Sequence, residues 1–208
     1  MTRELAYDPV FHSQSHFRAI LYSMSRPGTI SRLDPVELIE LTSAARLNTA
    51  SALVGFALLN GDVSFHLVNM TDVEAEYLSA NTRASVAPID EATFIFTAGD
   101  EPPETLEGAN CGSLTYPDTA ATIVIQVDAL SAAPLPGGLK LTFEGPGVNG
   151  SSGVYVRALS PDLLLALQAR NAEFPLGIDA VVTCDDKGAG PPRVLGIPRT
   201  AKVSWETC

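Results

Sequence analysis

The run Ala121-Thr122-Ile123-Val124-Ile125-Gln126-Val127 decides the fold class. It is dense in β-branched residues and lacks polar alternation, the pattern of a strand covered on both faces. Such a strand needs an apolar layer above and below it. Thr49–Leu59, nearly all small or apolar, reads as a helix buried on most sides. Pro161–Arg170 reads as a leucine-rich helix. Further strands are expected at Thr29–Leu33, Val63–Leu67, Thr93–Thr97, Leu139–Phe143, Val154–Arg157, Asp179–Cys184 and Arg193–Ile197. Strands and helices interleave throughout, which predicts one α/β domain over residues 1–208, a mixed sheet with helices on both faces.

Punctuation residues refine this outline. Asp8 and Pro9 suit the start of a first helix, with Phe17, Ile20/Leu21 and Met24 on its inner face. Arg26-Pro27-Gly28 stops it. Asp34-Pro35-Val36-Glu37 resembles a capping box and predicts another helix opening there. Asn60-Gly61-Asp62 is a turn, Asp72–Arg83 a helix, and Lys187–Pro192 a Gly/Pro turn. Gly99–Pro117 is expected to be an irregular surface loop.

Composition excludes several classes of function. The 208-residue chain carries a net charge of −11, so its field repels nucleic acid and anionic lipid. Cys111, Cys184 and Cys208 are odd in number and lack metal spacing, which suits a reducing cytoplasm better than a disulfide framework. The first residues lack an apolar core and are not read as a secretory signal. The most apolar stretch, Ala44–Leu59, is interrupted by Arg46, Asn48 and Ser51. It falls short of the roughly 18 apolar residues of a membrane span.

The candidate chemistry is sparse. His12 and His16 have the i, i+4 spacing of two metal ligands, but with one further histidine, His66, they read better as polar residues on a solvated helix face. Gly145-Pro146-Gly147-Val148-Asn149-Gly150 follows a strand, as anion loops do, yet matches neither dinucleotide nor Walker spacing and reads more simply as a tight connection. Gly150-Ser151-Ser152-Gly153 misses the spacing of a nucleophile elbow. Lys140, Lys187 and Lys202 sit in a strand, in a turn and close to the C-terminus, none in a convincing setting for a Schiff base, so no cofactor is expected. Arg26 and Arg199 follow a helix end and a strand end, where a guanidinium fork can bind phosphate or carboxylate. Contact with a ligand, with a partner, or with the chain's own carboxylates all remain open for these two.

Read in order, Phe17-Arg18, Met24-Ser25-Arg26-Pro27-Gly28, Gly145-Pro146-Gly147, Asn171-x-x-Phe174-Pro175-Leu176-Gly177-x-Asp179 and Ile197-Pro198-Arg199-Thr200 resemble the PhnH family of the bacterial carbon–phosphorus lyase system. The resemblance runs from about residue 14 to residue 203, and the F-P-L-G-I-D segment is its most specific part. It implies a three-layer α/β/α sandwich similar to the pyridoxal-phosphate-dependent transferase fold, without the cofactor lysine and site. It also implies homodimers that join G, I and J subunits in a core complex, with an L subunit associated functionally. That system replaces the adenine of ATP by phosphonate, giving a ribose 1-phosphonate 5-triphosphate whose C–P bond an iron–sulfur subunit later cuts. No cysteine cluster here could hold such a centre, and no catalytic residue of the family carries over to a motif.

Three readings follow: a non-catalytic subunit of the phosphonate complex, a nucleotide transferase holding phosphate with Gly145, Gly147, Arg26 or Arg199, or a small-anion carrier. Gly28 and Gly177 are expected to relieve backbone strain, and Phe174 and Pro175 to set the approach to the strand that Asp179 begins.

Overall fold

Asp8 starts the first helix. Its Oδ1 accepts from the backbone N–H groups of Val10 (2.8 Å) and Phe11 (2.9 Å), bonds that hold its carboxyl below the ordinary range. Helix α1 then spans Phe11–Ser25. The computed structural model to which these distances belong describes residues 4–41, 45–185 and 190–208. Ala44, and Lys187 with part of its expected turn, lie outside the described residues.

The inner face of α1 is not the expected one. Phe17 and Leu21 are 47% and 55% exposed, while His16, Ile20 and Ser23 are buried. Ile20 fits the sequence reading and Met24 packs partly against the same core. His16 and Ser23 go inward because their polar atoms are satisfied there. The His16 Nε2 lies 3.0 Å from the Asp34 carbonyl, and Ser23 Oγ donates to the Ile20 carbonyl at 2.8 Å. His12 accepts the Asp8 N–H on Nδ1 at 2.9 Å. The two histidines are therefore structural groups, not a solvated pair.

Strand β1 (Ile30–Arg32) follows, but no helix opens at Asp34. The Asp34 carboxylate instead accepts from Ser15 Oγ of α1. Leu33 and Val36 are buried, and the Glu4 carboxylate accepts the Glu40 N–H at 2.9 Å. Helix α2 (Thr49–Leu58) forms as expected behind the Asn48 cap, strand β2 covers Ser64–Leu67, and α3 covers Asp72–Thr82. In α3, Thr71 and Glu74 form a reciprocal capping box. Strands β3 (Ser85–Val86) and β4 (Phe94–Ala98) come next. The segment expected to be a surface loop instead contains short 3₁₀ turns at Pro103–Leu106 and Pro117–Thr119 and buries Leu106 and Ala109.

The remaining elements are β5 (Thr122–Val127), β6 (Ala129–Ser131), β7 (Leu139–Glu144), β8 (Ser152–Arg157), α4 (Pro161–Arg170), β9 (Asp179–Cys184), β10 (Arg193–Ile197) and β11 (Lys202–Thr207). Among the described residues they build two sheets, one of seven strands in the order β1-β10-β9-β5-β4-β2-β3 and one of four in the order β11-β7-β8-β6. Strands β2, β3, β4, β5 and β9 run parallel, β10 runs against its neighbours, and the smaller sheet is antiparallel throughout.

Alternation along the central strands divides the core. Ile95, Ile123, Ile125, Val182 and Leu195 face a cluster shared with α4 and the smaller sheet. Phe96, Val124, Val181 and Val194 face a second cluster with α1, α2 and α3. The mixed α/β architecture is as expected. On one face, however, the covering layer is a second sheet plus one helix, because β7 and β8 bury Leu141, Phe143, Val154 and Val156 there. A buried hydrogen bond of 2.7 Å between Ser51 Oγ and Thr183 Oγ1 fastens α2 to β9.

Candidate functional site

The sequence motifs are far apart in the chain but meet at one corner of the large sheet. The end of α1 lies directly on β10, where a Cβ at Gly196 would come within 2.6 Å of the Met24 backbone. Gly28 (φ +84°) accepts a 3.0 Å bond on its carbonyl from Ser152 Oγ. Gly147 (φ +82°) rests so closely on this turn that any Cβ would overlap the Ser25 carbonyl oxygen. Gly145 faces Thr200 in the same way, with 3.2 Å between its notional Cβ and the Thr200 carbonyl. The Gly145-Pro146-Gly147 loop is a tight strand connection with positive φ at both glycines, as expected, and it also receives two other parts of the chain, with Pro27 buried beneath it.

The fourth motif folds around its own asparagine. Asn171 Oδ1 accepts the Ile178 N–H at 2.7 Å and Nδ2 donates to the Ile178 carbonyl at 3.1 Å. Gly177 (φ +140°) lies against that amide with no room for a side chain, and its N–H donates to the Cys111 carbonyl at 2.9 Å. The Phe174–Pro175 peptide is cis, and the Phe174 ring is 70% exposed.

Arg199 joins this motif to the last one. Its Nε and Nη2 donate to Asp179 Oδ2 at 3.1 and 2.7 Å, and its backbone N–H donates to Oδ1 at 2.7 Å. Nη1 donates to the carbonyls of Pro117 and Pro175 at 2.9 and 3.3 Å. The guanidinium is thereby engaged by the protein's own oxygens. Arg26 differs: it is exposed, its guanidinium carbon 4.3 Å from the centre of the Tyr22 ring and Nη1 3.4 Å from Ser25 Oγ. Phe17 and Arg18 are exposed a little over two turns earlier. The sequence left the two arginines equivalent, and the fold separates them.

Beside this corner a cleft of about 550 Å³ opens between α4 and the β10–β11 connection. Leu164, Leu167, Phe174, Trp205, Pro146 and Thr200 line it, with Arg199 and Lys202 at its edge. The walls are largely apolar, suited to hydrophobic side chains rather than to a triphosphate. Ser151 is exposed and Ser152 is held by Gly28. Lys140 pairs with Glu206 at 2.7 Å, which raises its pKa. Among the described residues no group of three His, Cys, Asp or Glu could hold a metal, and no helix is long and apolar enough to cross a membrane.

A second place matters for anion chemistry, and sequence reasoning missed it. The N-terminus of α2 lies at the carboxyl ends of the parallel strands, where α/β proteins commonly hold phosphate. Here Asp185, just past β9, fills it. Its Oδ2 accepts the Thr49 N–H at 2.9 Å and its Oδ1 the Ala50 N–H at 2.7 Å. Asn48 Oδ1 accepts the Ser51 N–H at 2.7 Å, and the Asn48 N–H donates to Gln126 at 3.0 Å. A phosphate would have to displace the chain's own carboxylate. No local signal could reveal this contact, because its partners are 136 and 135 residues apart.

Known proteins resemble this chain along nearly its whole length. A relative from Rhizobium meliloti (strain 1021), named alpha-D-ribose 1-methylphosphonate 5-triphosphate synthase subunit PhnH, is 32% identical over 203 residues, covering 96% of this chain and 94% of its own. A putative C-P lyase subunit protein, HtxG, from Stutzerimonas stutzeri is 27% identical over 184 residues, covering 88% and 85%. Residues 6–204 match the family described as bacterial phosphonate metabolism protein (PhnH), and the chain belongs to that family.

Proposed function

We propose that the chain is a subunit of the carbon–phosphorus lyase core assembly in organophosphonate catabolism. In this reading it supports formation of ribose 1-phosphonate 5-triphosphate from ATP and alkylphosphonate, and contributes surface and shape rather than reacting groups. The observation that carries it is the end-to-end likeness to a relative named as a synthase subunit. The geometry of the motif corner is in keeping, since its largely buried cation, Arg199, is neutralised by Asp179.

The finer elements of the proposal are a homodimer, association with G, I and J subunits, a functional link to an L subunit, and a cytoplasmic location. Residues 1–208 act as one domain, in keeping with a core cluster that draws on both sheets. The fold is proposed to be similar to that of the pyridoxal-phosphate-dependent transferases, without the cofactor site. Support comes from the seven-stranded sheet, in which β10 runs against the other six strands. The lack of a cofactor phosphate site is in keeping with Asp185, which occupies the α2 N-terminus. The transferase alternative, with Gly145, Gly147, Arg26 and Arg199 holding phosphate, is less favoured because Arg199 is engaged and both glycines pack on protein.

Co-expression with the other subunits of the host's system, followed by native mass measurement, tests membership directly. The expected result is one stable complex that releases adenine from ATP in the presence of methylphosphonate, while the isolated chain neither releases adenine nor binds either ligand measurably. Adenine release by the isolated chain would overturn the non-catalytic reading. Failure to enter the complex would overturn membership.

A further inference from the structure

Helix α1 carries an outer face that the fold leaves uncovered. Phe11, Phe17, Leu21 and Tyr22 are 74%, 47%, 55% and 47% exposed, and Arg18 and Arg26 are exposed among them. Single exposed apolar residues need no explanation, but four on one helix form a patch. Aromatic rings and arginine are also the residue types most enriched where protein interfaces hold their affinity.

Charge indicates what could cover it. The chain has 24 acidic residues, yet from Pro9 to Leu33 it has none, and three arginines, Arg18, Arg26 and Arg32. Among the described residues neither Arg18 nor Arg26 forms an ion pair, whereas Arg199 is tied to Asp179 and Lys140 to Glu206. Arg26 is also held in place over the Tyr22 ring, so less side-chain freedom would be lost on binding. A second copy of this chain meeting the same face about a twofold axis would set arginine against arginine, so the proposed homodimer would use another face.

We infer that the outer face of α1, continued by the Arg26 turn, docks another subunit of the assembly through a segment carrying apolar side chains between carboxylates. The inference rests on membership of the complex. The rings enter the partner's apolar groove or patch, and Arg18 and Arg26 pair with its acidic groups.

The test uses the full chain co-expressed with the other subunits, comparing wild type with Arg18→Glu/Arg26→Glu, Phe17→Ser/Leu21→Ser, and Arg83→Glu as a charge control. Both double variants should retain the wild-type melting temperature and elution volume when isolated, since the altered side chains are exposed. Each should weaken association with the remaining subunits at least tenfold, while Arg83→Glu does not. Raising salt should weaken wild-type association, and the charge-reversed variant should be much less salt-sensitive. Wild-type assembly with undiminished association of both double variants would overturn the α1 inference and leave membership intact. No assembly by wild type would overturn membership, and this inference with it. Conversion of an isolated wild-type dimer to monomer by the same changes would overturn the acidic partner in favour of a second copy.

Discussion

Arg199 and Asp179 form a closed pair. Three donors of Arg199 converge on one carboxylate, and its remaining guanidinium nitrogen bridges two backbone carbonyls. The side chains are only 14% and 24% exposed, so removal of either partner leaves polar groups poorly solvated. Arg199→Ala and Asp179→Ala should each lower unfolding free energy by about 2–4 kcal/mol. In the double variant the losses should be well short of additive, because the same contacts are removed twice. Urea unfolding of the three variants measures this, and strict additivity would contradict the pairing.

Asp185 caps α2 from a distant strand end. Asp185→Ala should cost about 1–2 kcal/mol through the loss of two charge-assisted bonds at a helix N-terminus. It should also uncover an anion site. Millimolar phosphate should then raise the melting temperature of the variant more than that of the wild type. Equal responses would show that the vacated backbone donors do not hold phosphate.

His16 gives stability a pH dependence of known sign. Burial pushes its pKa below the ordinary value and outweighs the opposing pull of the nearby Asp34. Tyr7, His12 and Asp34 are the titratable groups around it, and Asp8 bonds to His12. Because the folded pKa is the lower one, the unfolded chain takes up the proton first. The contribution is therefore complete above a pH of about 6.5 and is lost as pH falls through the folded value. The drop in stability between pH 7.5 and 5.5 should be larger in wild type than in His16→Gln. Parallel curves would refute the assignment.

Two neighbouring glycines should respond very differently to alanine. Gly150 (φ +75°) has open space around its notional Cβ, so Gly150→Ala should cost only the backbone strain of about 1–2 kcal/mol. Gly147 (φ +82°) meets the Ser25 carbonyl and Pro27 as well, so Gly147→Ala should cost at least twice as much. Thermal melts of the two variants side by side provide the measurement. Equal costs would mean that the loop and the α1 turn are not packed as described.

The layers of the fold were readable where hydrophobic pattern and burial coincide. The central strands β5 and β9 and helices α2, α3 and α4 fell within a residue or two of their expected bounds. The pattern misled at α1, because an exposed Phe17–Leu21 pair has core spacing while polar His16 and Ser23 go inside. It also missed β11, whose Lys202, Ser204 and Glu206 alternate with Val203 and Trp205 on a sheet edge, and the two- and three-residue strands β3 and β6. At the candidate site the motif residues themselves were recognisable in order. Their convergence was not, since the links from Ser152 to Gly28 and from Asp185 to α2 span more than a hundred residues.

The Asn171 side chain has a further consequence. Its amide faces the Ile178 peptide as one strand faces another, one donor and one acceptor each way. Replacing the amide nitrogen with oxygen, the change that spontaneous deamidation makes, would set two acceptors against each other at the Ile178 carbonyl. The grip on the Phe174–Ile178 bend thus depends on one atom, and chemical ageing at that atom would loosen the exposed ring at the mouth of the cleft.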